Sequence, residues 1–131
     1  MAEGFPGSER REFFRYRYER PIHYKKVAGP AKGAGAEAHA LHDAVAKNVS
    51  ASGILFSGDT VPELSSIIVL DLDYRTTQIC QEIEERALIV GEKLLGKVVR
   101  IEDNNDGRYD IGVAFITKND NLIDVIRSLI Q

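Results

Sequence analysis

Apolar and polar residues along this chain of 131 residues mostly alternate over short runs, the period of a strand with one buried face. Residues 20–27 (Arg-Pro-Ile-His-Tyr-Lys-Lys-Val) predict a strand in which Ile22, Tyr24 and Lys26 share one side and His23, Lys25 and Val27 the other, with Pro21 tolerable at its start. Residues 29–35, rich in glycine and carrying Pro30, are loop or hairpin material. The stretch 37–47 reads two ways. Its alanines favour helix, with Leu41 and Val45 four apart, while Leu41, Val45 and Val49 also fall on one side of a strand. Ile54 to Ser57 is strand-like, residues 65–73 form a clear strand that opens on an apolar run, and residues 96–102 form another. Asp103-Asn-Asn-Asp-Gly107 is a strong turn signal, after which residues 108–116 pair back as a hairpin partner. The span 78–90 holds room for a helical turn from Ile79 to Glu85 and a strand from Ala87 to Val90.

The C-terminal stretch is the strongest helix. Asn119 or Asp120 can cap it, and Leu122, Ile123, Val125, Ile126, Leu129 and Ile130 form a broad apolar stripe able to pack on a sheet or close a barrel. Many strands with one terminal helix indicate a small antiparallel barrel rather than an alternating α/β fold. A chain of this length fits one domain and buries about two-thirds of its unfolded surface, so a core without staples is feasible. Residues 1–9, aperiodic and carrying Gly and Pro, read as a mobile tail, with the domain running from residue 10 to 131.

Charge refines this. The formal net charge is −3, yet residues 1–27 carry seven Lys/Arg against four Glu, and the remainder ten Lys/Arg against sixteen Asp/Glu. Positive potential is concentrated near the N-terminus. An acidic remainder argues against extended nucleic acid, which needs many phosphate contacts along a basic face, and fits a small anion held by a local cluster. Cys80 is the single cysteine and excludes an intrachain disulfide. No stretch is long and apolar enough for a signal peptide or membrane insertion, so a soluble, cytoplasmic protein is expected.

Two short motifs carry candidate chemistry: Arg11-Glu-Phe-Phe-Arg15, directly preceded by Arg10, and Asn48-Val-Ser-Ala-Ser-Gly53. Together, in this order around a β-rich chain, they resemble the PilZ domain family of bacterial receptors for cyclic diguanylate (cyclic di-GMP). The family pattern is an Arg-x-x-x-Arg loop before the first strand and an Asp/Asn-x-Ser-x-x-Gly turn between later strands. Glu9-Arg-Arg, Gly96-Lys-Val-Val-Arg100 and Gly112-Val-Ala-Phe115 also look like its framework, and the likeness covers roughly residues 9 to 130. The resemblance implies a six-stranded antiparallel β-barrel with a C-terminal α-helix, and it tips residues 37–57 to strand, turn, strand.

It further implies a ligand site of Arg10, Arg11, Arg15, Asn48, Ser50 and Gly53, with no catalytic residue, no metal and no cofactor other than the ligand itself. Arginine suits that ligand because its planar fork pairs with phosphate oxygens or with guanine O6 and N7, and it stacks on bases. Asn48 and Ser50 can hydrogen-bond a guanine edge or phosphate, and Gly53 permits close backbone approach or a positive φ. The third guanidinium, Arg10, favours a stacked pair of ligands per domain. As a stand-alone receptor the chain would pass its output to a separate effector protein or show it as a change in self-association.

Other signals are weaker. Gly91-Glu-Lys-Leu-Leu-Gly-Lys97 matches most of a phosphate-binding P-loop, but Val98 stands where Ser or Thr should hold Mg²⁺, and a β-branched run follows where a helix should start. His39 and His42 beside Asp43 would face opposite sides of a strand, with no further ligands to complete a metal site. Cys80 has no histidine placed beside it. Tyr16, Tyr18 and Tyr24 among arginines and lysines suggest single-strand stacking, although at least some of these rings should face the core. The rivals are therefore a PilZ-like adaptor without ligand, a nucleic-acid-binding barrel and, last, an enzyme.

Overall fold

Ile22 and Tyr24 are buried and His23 between them is exposed, so the first long strand faces as its side chains dictate. The computed structural model describes residues 15–28 and 41–118. The expected tail at 1–9, Arg10, Arg11, the loop at 29–35, His39 and the C-terminal helix lie outside the described residues. In chain order the elements are β1 (Tyr16–Arg17), β2 (Pro21–Ala28), β3 (His42–Val49), β4 (Gly53–Gly58), β5 (Ile67–Asp71), a 3₁₀ turn (Tyr74–Thr76), α1 (Cys80–Arg86), β6 (Ile89–Val90), β7 (Lys93–Asp103) and β8 (Tyr109–Phe115).

Neighbours run β3-β2-β5-β7-β8-β4, every pair is antiparallel, and β4 pairs back onto β3, which closes a six-stranded barrel. Closure leaves none of these six strands as an open edge. The short β1 continues the edge of β3 beyond β2, and β6 forms a small hairpin with β7. The stretch 42–57 is thus strand, turn, strand, as the resemblance implied, not the helix its alanines favour.

Ile22, Tyr24, Phe56, Ile68, Leu70, Leu94 and Ile111 fill the interior, where the rings of Tyr24 and Phe56 lie 5.0 Å apart. A second apolar cluster forms on the opposite face of β5 and β7, from Val69, Leu88, Leu95 and Ile116. β5 is therefore apolar on both sides, the physical reason for its unbroken Ile-Ile-Val-Leu run. Between β5 and β7, α1 turns Ile83 inward and leads into β6.

The P-loop-like stretch folds as turn and strand. Gly91 and Glu92 take positive φ (59° and 67°) in the β6–β7 turn, and Leu94, Leu95 and Val98 are buried sheet residues. At the β7–β8 turn, Asn105 and Gly107 take positive φ, while the backbone N–H groups of Asn105 and Arg108 donate to the side chains of Asp103 and Asp106.

Besides a register shift in β2 between Lys26 and Ala28, two β-bulges break the alternation. In β3 the register shifts between Ala46 and Asn48, and in β7 between Val98 and Arg100. The first corrects the expectation that Leu41, Val45 and Val49 share a side: Leu41 and Val45 are 64% and 45% exposed, whereas Val49 is fully buried. The extra residue, Lys47, carries every later side chain of β3 to the other face.

Candidate functional site

Arg15 and Asn48 lie 33 residues apart in sequence, and strand pairing makes them neighbours. β1 pairs Tyr16 with Val49 and Arg17 with Asn48, which places the residue before β1 against the end of β3. There the Arg15 guanidinium donates to Asn48 Oδ1 at 2.9 Å. Asn48 is outside the barrel because of the Lys47 bulge; unbroken alternation from the buried Ala46 would have turned it inward.

The rest of the Asn-x-Ser-x-x-Gly motif builds the β3–β4 turn. Ser50 N donates to Gly53 O at 2.8 Å, Ser52 N donates to Ser50 Oγ at 3.2 Å, and the two serine hydroxyls lie 3.1 Å apart. Ser50 is only 2% exposed, so its hydroxyl organises the turn from beneath, and Ser52 is the serine on the surface. Gly53 does not take a positive φ. It faces β8, where a Cβ would lie far inside contact distance of the Val113 carbonyl oxygen and 3.3 Å from its carbonyl carbon. The close backbone approach expected at Gly53 is therefore an approach between two strands.

Beside this turn is an open groove of about 340 Å³, lined by Arg15, Asn48 and Ser52 at one side, by Val99 and Arg100 at the other, and floored by Leu55, Gly112 and Ala114. That volume is in the range of small-ligand sites, roughly 300 to 1,000 Å³. The cross-strand register explains the layout, since Asn48 pairs with Leu55, Leu55 with Gly112 and Gly112 with Arg100. One row of residues thus crosses β3, β4, β8 and β7 with a polar group at each end and an apolar middle.

A charged cluster bounds the row. Lys47 Nζ lies 2.9 Å and 3.0 Å from the two Asp110 oxygens, and Asn104 Nδ2 donates to Oδ1 at 3.0 Å. Partial burial pushes the Asp110 carboxyl up, but these hydrogen bonds, with the charges of Lys47 and Arg100, outweigh it and hold it below the usual value. Asp110 is a carboxylate near neutral pH.

The other candidates are placed elsewhere. His42 packs its ring 5.2 Å from that of Tyr24, and His23 Nδ1 meets Asp43 Oδ1 at 2.7 Å; among the described residues no three metal-ligating side chains cluster. Cys80 is half-buried, and desolvation followed by the charge of Glu84 pushes its thiol up, the reverse of an activated nucleophile. Tyr18 and Tyr24 are core residues. Among the described residues no helix is long and apolar enough to cross a membrane. Ser52, Leu55, Val99, Arg100, Gly112 and Ala114 were not candidates from sequence. Arg100 and Gly112 stood within framework segments, and only the strand register brings them to the groove.

The family described as PilZ domain matches residues 9–131. No curated protein sequence matches the chain. Among solved structures, the chain is similar to the Bacillus subtilis inhibitor of motility (MotI/DgrA), with a TM-score of 0.50 and 11% identity over 92% of this chain. It spans about half of that protein, 49% of its length. The PilZ domain of CeSA from a cellulose-synthesizing bacterium aligns with 88% of this chain and 94% of its own, at 18% identity and a TM-score of 0.43.

Proposed function

The chain belongs to the PilZ domain family, and from that premise we propose that its exterior groove binds cyclic diguanylate and that the protein works as a receptor handing the signal to a separate effector protein. The observation that carries this reading is the bond from Arg15 to Asn48 at the groove's rim. It brings the last residue of one motif against the first residue of the other. That bond orients the guanidinium fork, whose N–H donors match phosphate oxygens or the O6 and N7 edge of guanine. Arg10 and Arg11, a few residues upstream, would bring further positive charge to the same doubly anionic ligand.

Leu55, Gly112 and Ala114 give the floor a low apolar surface on which a purine face can lie, with Ser52 and Asn48 offering hydrogen bonds at its edge. Seating the ligand there would draw the N-terminal arginines onto the β3–β4 turn and change the surface an effector meets.

Isothermal titration of the full chain with cyclic diguanylate, with linear diguanylate and GMP as controls, tests the proposal. Saturable heat with the cyclic ligand is expected, and a stoichiometry of two per chain follows from the additional Arg10. One ligand per chain would refute the stacked pair alone. Absence of heat would refute the receptor and leave the adaptor that acts only through protein contacts.

A further inference from the structure

We infer that Arg100 is a second anchor of this groove, gripping the end of the ligand remote from Arg15 and making the site selective for a dinucleotide over a mononucleotide. The inference rests on the binding reading above. Its origin is the bulge in β7. Val98 is buried, so strict alternation would expose Val99 and turn Arg100 inward; the register shift between Val98 and Arg100 exposes both, with Val99 at 55%. Burying an arginine in this apolar barrel would be costly, and the bulge places Arg100 on the outer face at the wall of the groove instead.

The two bulges act as a pair. The one in β3 delivers Asn48, which holds Arg15, and the one in β7 delivers Arg100, on the two strands that flank the β4–β8 floor. From Asn48 to Arg100 the row crosses three strand spacings, roughly 14 Å at about 4.8 Å each. Gly112, directly opposite Arg100, leaves that path clear, since a Cβ there would already be 3.4 Å from Arg100 Cβ.

Arg100 is also lightly held. Its ion pair is a long one, 3.8 Å to the exposed Glu102, and its attraction to Asp110 is through charge alone, the hydrogen bonds of that carboxylate being taken by Lys47 and Asn104. An exposed pair of that length costs little to exchange for a ligand contact. A mononucleotide offers one base and one phosphate to the Arg15 end, whereas a dinucleotide carries a second base and phosphate along the row toward Arg100.

The test is calorimetric titration of wild type, Arg15→Ala, Arg100→Ala and Arg100→Lys with cyclic diguanylate, linear diguanylate and GMP, each variant first shown to be folded by circular dichroism. Arg100→Ala is expected to weaken both dinucleotides about ten-fold or more and to leave GMP unchanged, with Arg100→Lys recovering only part of the loss. Wild-type affinity for cyclic diguanylate in Arg100→Ala, alongside a loss in Arg15→Ala, would overturn the second anchor and leave the receptor reading intact. An equal loss for GMP and for the dinucleotides would overturn the selectivity, and no binding by wild type would overturn both inferences.

Discussion

Replacing Gly53 by alanine separates the structural part of the Asn-x-Ser-x-x-Gly turn from the binding part. The added methyl would collide with the carbonyl group of Val113 and meet Ala114 Cα at 3.4 Å, all backbone atoms of β8 that cannot rotate away. Relief requires prising β4 from β8 where Gly53 pairs with Ala114, next to the 2.9 Å bond from Phe115 N to Ser52 O. Overpacking of this kind costs about 1–3 kcal/mol, and a strained backbone hydrogen bond adds about 1 kcal/mol. The lower backbone entropy of unfolded alanine returns about 0.5 kcal/mol, for a net loss of about 2.5 kcal/mol. For a domain of this length that is a melting temperature lower by roughly 10 °C. Urea and thermal unfolding followed by circular dichroism measure it. Gly112→Ala is the internal contrast, because its Cβ meets Arg100 Cβ at an ordinary 3.4 Å, and its stability should stay within about 0.5 kcal/mol of wild type. Gly53→Ala as stable as Gly112→Ala would refute the claim that Gly53 is required by strand approach.

Three further outcomes follow from the same geometry. Arg15→Ala should weaken cyclic diguanylate by about 2 kcal/mol in titration, as loss of a charge-assisted contact does, with an unchanged urea midpoint because Arg15 is exposed. Ser50→Ala removes the acceptor of Ser52 N and should lower unfolding free energy by about 1 kcal/mol, measured by urea titration. Tyr24 gives a pH signature: burial, then the charge of Asp59, raises its phenol from 10.0 to about 12. Below pH 10 both folded and unfolded forms are protonated and its contribution is complete; between pH 10 and about 12 only the unfolded form ionises, so stability falls through that window. The difference between wild type and Tyr24→Phe, measured from pH 8 to 12, should isolate that fall, and a flat difference would contradict it.

Much of the barrel is legible in the chain because strands with one wet face must alternate. Ile22 and Tyr24, the β7–β8 turn at 103–107 and the apolar β5 were all readable, and β5 carries its apolar run because both its faces are covered. The stretch around His42 was not, since alanine propensity points to helix and only pairing with β2 and β4 makes it a strand. Bulges hide for a related reason: nothing in Ala46-Lys-Asn48 or Val98-Val-Arg100 marks the extra residue, yet each decides which side chains reach the groove. The motifs thus point to Asn48 and Arg15, whereas Ser52, Leu55, Gly112 and Arg100 depend on cross-strand register. Ser50 and Gly53 belong to the same turn but support it from within.

The most direct test of the central claim is an amide NMR titration of the full chain with cyclic diguanylate. The account predicts that the largest shifts map to Asn48, Ser52, Leu55, Val99, Arg100 and Gly112, in one contiguous patch across β3, β4, β8 and β7. Saturating shifts confined to another face, such as the surface of His23, Asp43 and Asp59, or none at all, would contradict it.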